Sequence, residues 1–231
     1  MPRKPRMYLP GVPCHIIQRG NNREATFFSE QDYQFYLNCF LDATKRYKVN
    51  VHAYVLMTNH VHILATPEHK ESISLTMQSV GRRYVQYVNK EYVRRGTLWE
   101  SRHKASLVDA EHYLFTCSRY IEMNPVAANM VQHPAEYKWS SFRFNALGEA
   151  DPLIKTHKIY QRLGTTNELR CQAYTALFET VIDPNDVKLI CKAARCSMPT
   201  GDSRFKEQIE KALNRKVGYA CRGRPGRRNH E

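Results

Sequence analysis

Two apolar runs, Val49 to Leu56 and His60 to Thr66, stand on either side of the turn dipeptide Thr58-Asn59. Both runs have strand composition, and a tight turn between them predicts a β-hairpin. Pro67 ends the second run because it has no amide proton to give to a ladder. The hairpin constrains what its neighbours can be. Upstream, His15 to Gln18 reads as a strand that ends in the turn Arg19-Gly20-Asn21-Asn22. Between that strand and the hairpin, Ser29 and Asp32 resemble a helix capping pair. Tyr33, Tyr36, Leu37, Phe40, Leu41 and Tyr47 then recur at helical spacing and should face a core.

Downstream, a helix is expected from about Ser72, with Ile73, Met77, Val80, Tyr84 and Val88 on one stripe. A short strand follows between Arg102 and Val108. Asp109 then caps a third helix that reaches about Asn124. Strand, helix, strand, strand, helix, strand is the split βαβ order. It predicts an α+β, ferredoxin-like antiparallel sheet with helices on one face, the other face being open.

Residues 1–134 are read as this first domain, and residues 135–231 as a smaller C-terminal helical appendage. In the appendage, Trp139 to Leu153 looks loop-like, Glu168 to Glu179 and Arg204 to Leu213 look helical, and Cys221 to Arg228 is a basic Arg/Gly/Pro tail.

Charge narrows the partner. Thirty-five Lys and Arg against 22 Asp and Glu leave a net charge of +13, which favours a polyanion. No apolar run approaches the roughly 18 residues that a membrane span needs, and no signal-peptide segment follows the basic start, so the cytoplasm is expected. The seven cysteines form no C-x-x-C pair, so neither a disulfide framework nor a zinc knuckle is suggested.

Two constellations carry chemistry. In Asn59-His60-Val61-His62 the imidazoles alternate with an apolar residue. On a strand, His60 and His62 share one face, about 7 Å apart by the strand rise. Neutral imidazoles so placed can share a divalent cation; by itself the pair also fits a solvated strand face. In Tyr120-Ile121-Glu122-Met123-Asn124-Pro125, Tyr120 and Asn124 are one helical turn apart. A tyrosine hydroxyl can attack a phosphodiester, and an asparagine carbonyl oxygen can face a metal. The same residues also fit a core tyrosine, with Asn124 starting a new helix before Pro125.

Taken together, in this order, these motifs resemble the single-tyrosine HUH transposases. The run Gly96-Thr97-Leu98-Trp99-Glu100-Ser101-Arg102-His103-Lys104, followed by Tyr120-Ile121 and Asn124-Pro125-Val126, is similar to the REP-associated tyrosine transposases. The resemblance covers roughly residues 7–145 and extends weakly to Arg222-Gly223-Arg224-Pro225. It implies that Tyr120 nicks single-stranded DNA through a 5′-phosphotyrosine, that His60, His62 and Asn124 hold Mg²⁺ or Mn²⁺, and that the substrate is a REP hairpin. Ala127 stands where such proteins often carry an arginine, so no phosphate contact is expected from it.

Arg19, Asn21, Asn22 and Arg23 after the first strand, Arg82 and Arg83 on the second helix, and Arg102, His103 and Lys104 near the fourth strand are candidate phosphate contacts. Trp99 is a candidate base-stacking residue, and the tail arginines, Arg224 among them, are candidates for nonspecific binding. The expected state is a monomer or homodimer. Two other readings stand beside this one. The first is a single-stranded DNA- or RNA-binding module without catalysis. The second is a metal-dependent hydrolase that uses water and has no need of Tyr120. A replication initiator or relaxase would share the tyrosine chemistry.

Overall fold

The computed structural model describes residues 6–217. A four-stranded antiparallel sheet is built from β1 (Cys14–Arg19), β2 (Val49–Met57), β3 (His60–Pro67) and β4 (Lys104–Leu107), in the spatial order β2-β3-β1-β4. The helices α1 (Glu30–Tyr47) and α2 (Ser72–Glu91) make the two crossovers. The expected ferredoxin-like α+β arrangement is therefore the observed one.

The start of α1 shows how local chemistry sets an element. Asp32 accepts hydrogen bonds from the amides of Phe28 at 2.7 Å and Ser29 at 2.9 Å, which satisfies donors that a helix start leaves open. The same buried carboxylate accepts the hydroxyls of Tyr87 and Tyr92, so the cap of α1 is also tied to the end of α2.

A β-bulge between Val51 and Ala53 divides the core in two. Before it, Val49 and Val51 face α1 and α2; after it the parity changes, and Tyr54 and Leu56 face them instead. Ala53, Val55 and Met57 are thereby turned to the opposite face. That face, expected to be open, is covered. Leu114, Cys117 and Ile121 of α3 (Ala110–Glu122) pack on it, together with Leu64 and with Ile190 from a later helix. Apolar side chains on both faces of β2 require cover on both sides.

Downstream come α4 (Asn124–Ala127), α5 (Phe142–Leu147), α6 (Lys158–Gln161), α7 (Asn167–Ala176), α8 (Pro184–Cys196) and α9 (Ser203–Leu213). The stretch expected to be a loop between Trp139 and Leu153 contains α5. This helix has too few turns to show a period, and Phe142 and Ala146 pack it against Tyr160 and Tyr174.

The helical region after residue 134 also closes both sheet edges. At β2, the Leu56 amide donates to the Trp139 carbonyl at 2.9 Å and the Lys155 amide to the Val51 carbonyl at 2.8 Å. At β4, the Thr200 amide donates to the Leu107 carbonyl at 2.7 Å. Covered edges remove the unpaired backbone groups that invite aggregation. Buried Glu122 adds a polar tie. Its carboxylate accepts from Ser141, Asn145 and Tyr174, joining α3 to α5 and α7.

Candidate active site

His60 opens β3 and His62 follows two residues later, on the sheet face that α3 crosses. Strand alternation predicts the shared face, and the rings lean together, with centroids 5.0 Å apart. The Tyr120 ring, near the end of α3, lies 5.7 Å from the His62 ring, edge to face. A third imidazole, His15 of β1, completes the cluster. It stacks on His62 at 5.1 Å, lies 5.9 Å from the Tyr120 ring, and brings its Nε2 within 2.9 Å of His62 Nδ1.

Burial sets the protonation of these groups. It holds His60 near pKa 4, with the Arg19 cation adding to the effect, and His15 near 3. His62 lies well below the ordinary imidazole range, first because it is buried and then because His15, His60 and Arg19 surround it. All three rings are therefore neutral near pH 7, the state a metal ligand needs. Burial also raises Tyr120 above the ordinary phenol value, and its contact with Cys191 on α8, Oη to Sγ at 3.3 Å, raises it further. Arg19 acts in the opposite direction. Its backbone pairs with His60, and its side chain is exposed.

Asn59 orients His60. Its Nδ2 donates to the Arg23 carbonyl at 2.8 Å, so its Oδ1 is the acceptor 2.6 Å from His60 Nδ1. That fixes the His60 proton on Nδ1 and leaves the Nε2 lone pair available. Asn124, the first residue of α4, donates from Nδ2 to the carbonyls of Tyr120 at 2.7 Å and Ile121 at 3.3 Å. Its nitrogen thus caps α3, and its oxygen is the atom left to act as an acceptor. Among the described residues no three His, Cys, Asp or Glu side chains gather into a metal cage. The two neutral imidazoles of His60 and His62 are donors of the kind that suit a divalent cation held by few protein groups.

The candidate DNA contacts divide by location. Arg19 and the turn with Asn21, Asn22 and Arg23 lie beside His60, held there by Asn59. Lys104 pairs with Ile17, which pairs with His62, so it shares their sheet face. Arg102 is exposed just before β4. Arg82 and Arg83 are on α2, across the sheet, and Arg83 pairs with Asp42 at 3.0 Å. Trp99 is not a stacking platform: it is buried beside Tyr36 and Tyr84. His103 is also buried, with its Nε2 2.6 Å from the Tyr8 hydroxyl. Arg224 lies outside the described residues. His15 and Cys191 were not singled out from sequence. The alternation of β1 could have placed His15 on the correct face, whereas no local signal points to Cys191. An open recess along α8, lined by Val187, Lys188, Cys191, Lys192, Arg195 and Cys196, adjoins Tyr120 through Cys191.

The ferredoxin-like sheet and the family model that matches its strands and helices define the class, a DNA transposase. The chain belongs to the IS200-like transposase family, whose model matches residues 10–124, from the first strand through Asn124. Within that class its fold is similar to a solved REP-associated tyrosine transposase bound to a REP hairpin. The TM-score is 0.55 at 18% identity, over 68% of this chain and 93% of that one. This agrees with the resemblance carried by the motifs around Trp99 and Tyr120. A candidate transposase from Deinococcus radiodurans R1 is a weaker likeness, with a TM-score of 0.36 at 21% identity over 52% of this chain and 95% of that one. No curated protein matches the chain.

Proposed function

We propose that this transposase cuts and rejoins single-stranded DNA through a covalent bond to Tyr120. The observation that carries the reading is the placement of the Tyr120 ring 5.7 Å from His62, on the face that His62 shares with His60. In the step itself the phenol loses its proton and its oxygen bonds to phosphorus. The bond from phosphorus to the 3′ oxygen then breaks. The products are a 5′-phosphotyrosine and a 3′-hydroxyl, and the reverse attack by a 3′-hydroxyl restores a phosphodiester without ATP. Near pH 7 the phenol is a weak nucleophile, more so because burial raises its pKa; Arg19 is the nearby group that favours the phenolate.

His60 and His62, with the Asn124 oxygen, would hold Mg²⁺ or Mn²⁺. Such an ion supplies positive charge to a non-bridging phosphate oxygen as charge develops. Arg19, Asn21, Arg23 and Lys104 would grip the flanking phosphates. The proposed substrate is a hairpin with a single-stranded flank. Its support is the REP hairpin bound by the structurally similar protein and the net charge of +13.

The engagement of the Tyr120 hydroxyl by Cys191 favours a second reading, a strand-binding protein that does not cut. Covalent capture separates the two. Wild type mixed with a labelled REP hairpin and Mn²⁺ is expected to give a protein–DNA band on a denaturing gel. The band should vanish with Tyr120→Phe and with a chelator. Tight binding in a native gel with no covalent band would sink the nicking reading. Cutting that persists in Tyr120→Phe would point to water as the nucleophile.

A further inference from the structure

His15 is a buried imidazole on β1, 1% exposed, and its Nδ1 has no hydrogen-bond partner among the described residues. An orphaned buried polar atom is costly, and a leucine at this position would carry no such cost. The other nitrogen of the ring, Nε2, is 2.9 Å from His62 Nδ1, and the two rings are stacked.

One proton lies between those two nitrogens, and its owner decides what His62 can do. If His62 donates from Nδ1, its Nε2 carries a bare lone pair. If His15 donates instead, the His62 proton sits on Nε2 and blocks that atom as a ligand. For His60 the matter is already decided, because its Nδ1 faces the acceptor oxygen of Asn59. We infer that His15 is the positioning residue for His62: it accepts the His62 Nδ1 proton at Nε2 and keeps its own proton on the unpartnered Nδ1, so that His62 and His60 present bare Nε2 atoms on the same face. The inference rests on the metal reading proposed above. It extends to His62 the common rule that a ligating imidazole is oriented through its second nitrogen. Here the orienting group is an imidazole on the neighbouring strand.

The test uses the full chain, free of metal and DNA. Imidazole nitrogen NMR reports which nitrogen of His62 carries the proton, and calorimetric titration with Mn²⁺ reports affinity. Wild type is expected to show His62 protonated on Nδ1. His15→Leu should lose that preference and bind Mn²⁺ about 10–100-fold more weakly, the usual cost of losing such a partner. His15→Gln places an amide oxygen near the position of Nε2 and should restore both readouts. A merely structural role would not give rescue by glutamine together with a tautomer change in His15→Leu. An Nε2 proton on His62 in wild type overturns the inference, as does a His15→Leu variant with unchanged tautomer and Mn²⁺ affinity. If wild type shows the expected tautomer but takes up no Mn²⁺, the pairing is upheld and the metal reading fails.

Discussion

The hydroxyl of Tyr120 on α3 lies 3.3 Å from the sulfur of Cys191 on α8. This contact occupies the atom proposed to attack the phosphate, and it adds to the burial that disfavours the phenolate. Cys191→Ala should therefore ease the tyrosine toward its ordinary pKa. Burial, the larger cause, remains, so the gain in single-turnover nicking near pH 7 should stay within about tenfold, the factor for one pKa unit. Slower nicking in Cys191→Ala would show that the sulfur positions the tyrosine rather than restraining it.

Arg19 should affect both binding and chemistry. It is exposed beside His60 and is the cation that favours the Tyr120 phenolate. Arg19→Ala is expected to weaken binding of a single-stranded oligonucleotide and to flatten the plot of log affinity against log salt by about 0.7 for one lost phosphate contact. Arg82→Ala should leave that slope unchanged, because α2 lies across the sheet. Equal slopes for wild type and Arg19→Ala would remove Arg19 from the strand path.

Acid should unfold the protein through its buried histidines. His52 donates toward the Lys155 carbonyl, contacts Thr66 Oγ1 at 2.7 Å, and is held near pKa 4, chiefly by burial, against 6.5 when free. Between those values the unfolded chain binds a proton that the folded chain does not, so stability falls as pH drops from about 6.5 to about 4. Above 6.5 this group contributes no pH dependence. Complete loss is on the order of 3 kcal/mol for His52, and His15 and His103 act in the same direction. Urea unfolding of His52→Gln across this window should show a slope shallower by up to about one proton. An unchanged slope would mean that His52 is not held neutral in the folded state.

Glu122 should join the sheet to the C-terminal helices in one folding unit. Glu122→Ala leaves the Ser141, Asn145 and Tyr174 donors without their acceptor. Ser141 can turn to the Tyr54 carbonyl 3.3 Å away, so two donors are orphaned; at about 1–3 kcal/mol for each that water cannot reach, the loss should be at least about 2 kcal/mol. Thermal melting should remain a single transition at a lower temperature. Two separated transitions would instead mark residues 135–231 as an independent domain.

Local pattern alone determined much of this protein. The hairpin around Thr58-Asn59, the shared face of His60 and His62, and the one-turn spacing of Tyr120 and Asn124 follow from side-chain periods of two and 3.6 residues. The capping role of Asp32 was legible for the same reason: a cap acts within one turn. Tertiary structure decided what periodicity cannot encode. His15 and His62 are 47 residues apart, and Tyr120 and Cys191 are 71 apart. Only strand register and helix docking bring such pairs together. The bulge at Val51/Ala53 turned half of β2 to the second face, and α3 covered that face because buried apolar surface needs a partner on each side. Trp99 and His103 sit in a motif that resembles a DNA-binding segment, yet both are buried, since aromatic payload and a satisfied imidazole can serve the core as well as a ligand. Residue types named the chemistry this chain could carry; long-range packing chose which of them meet.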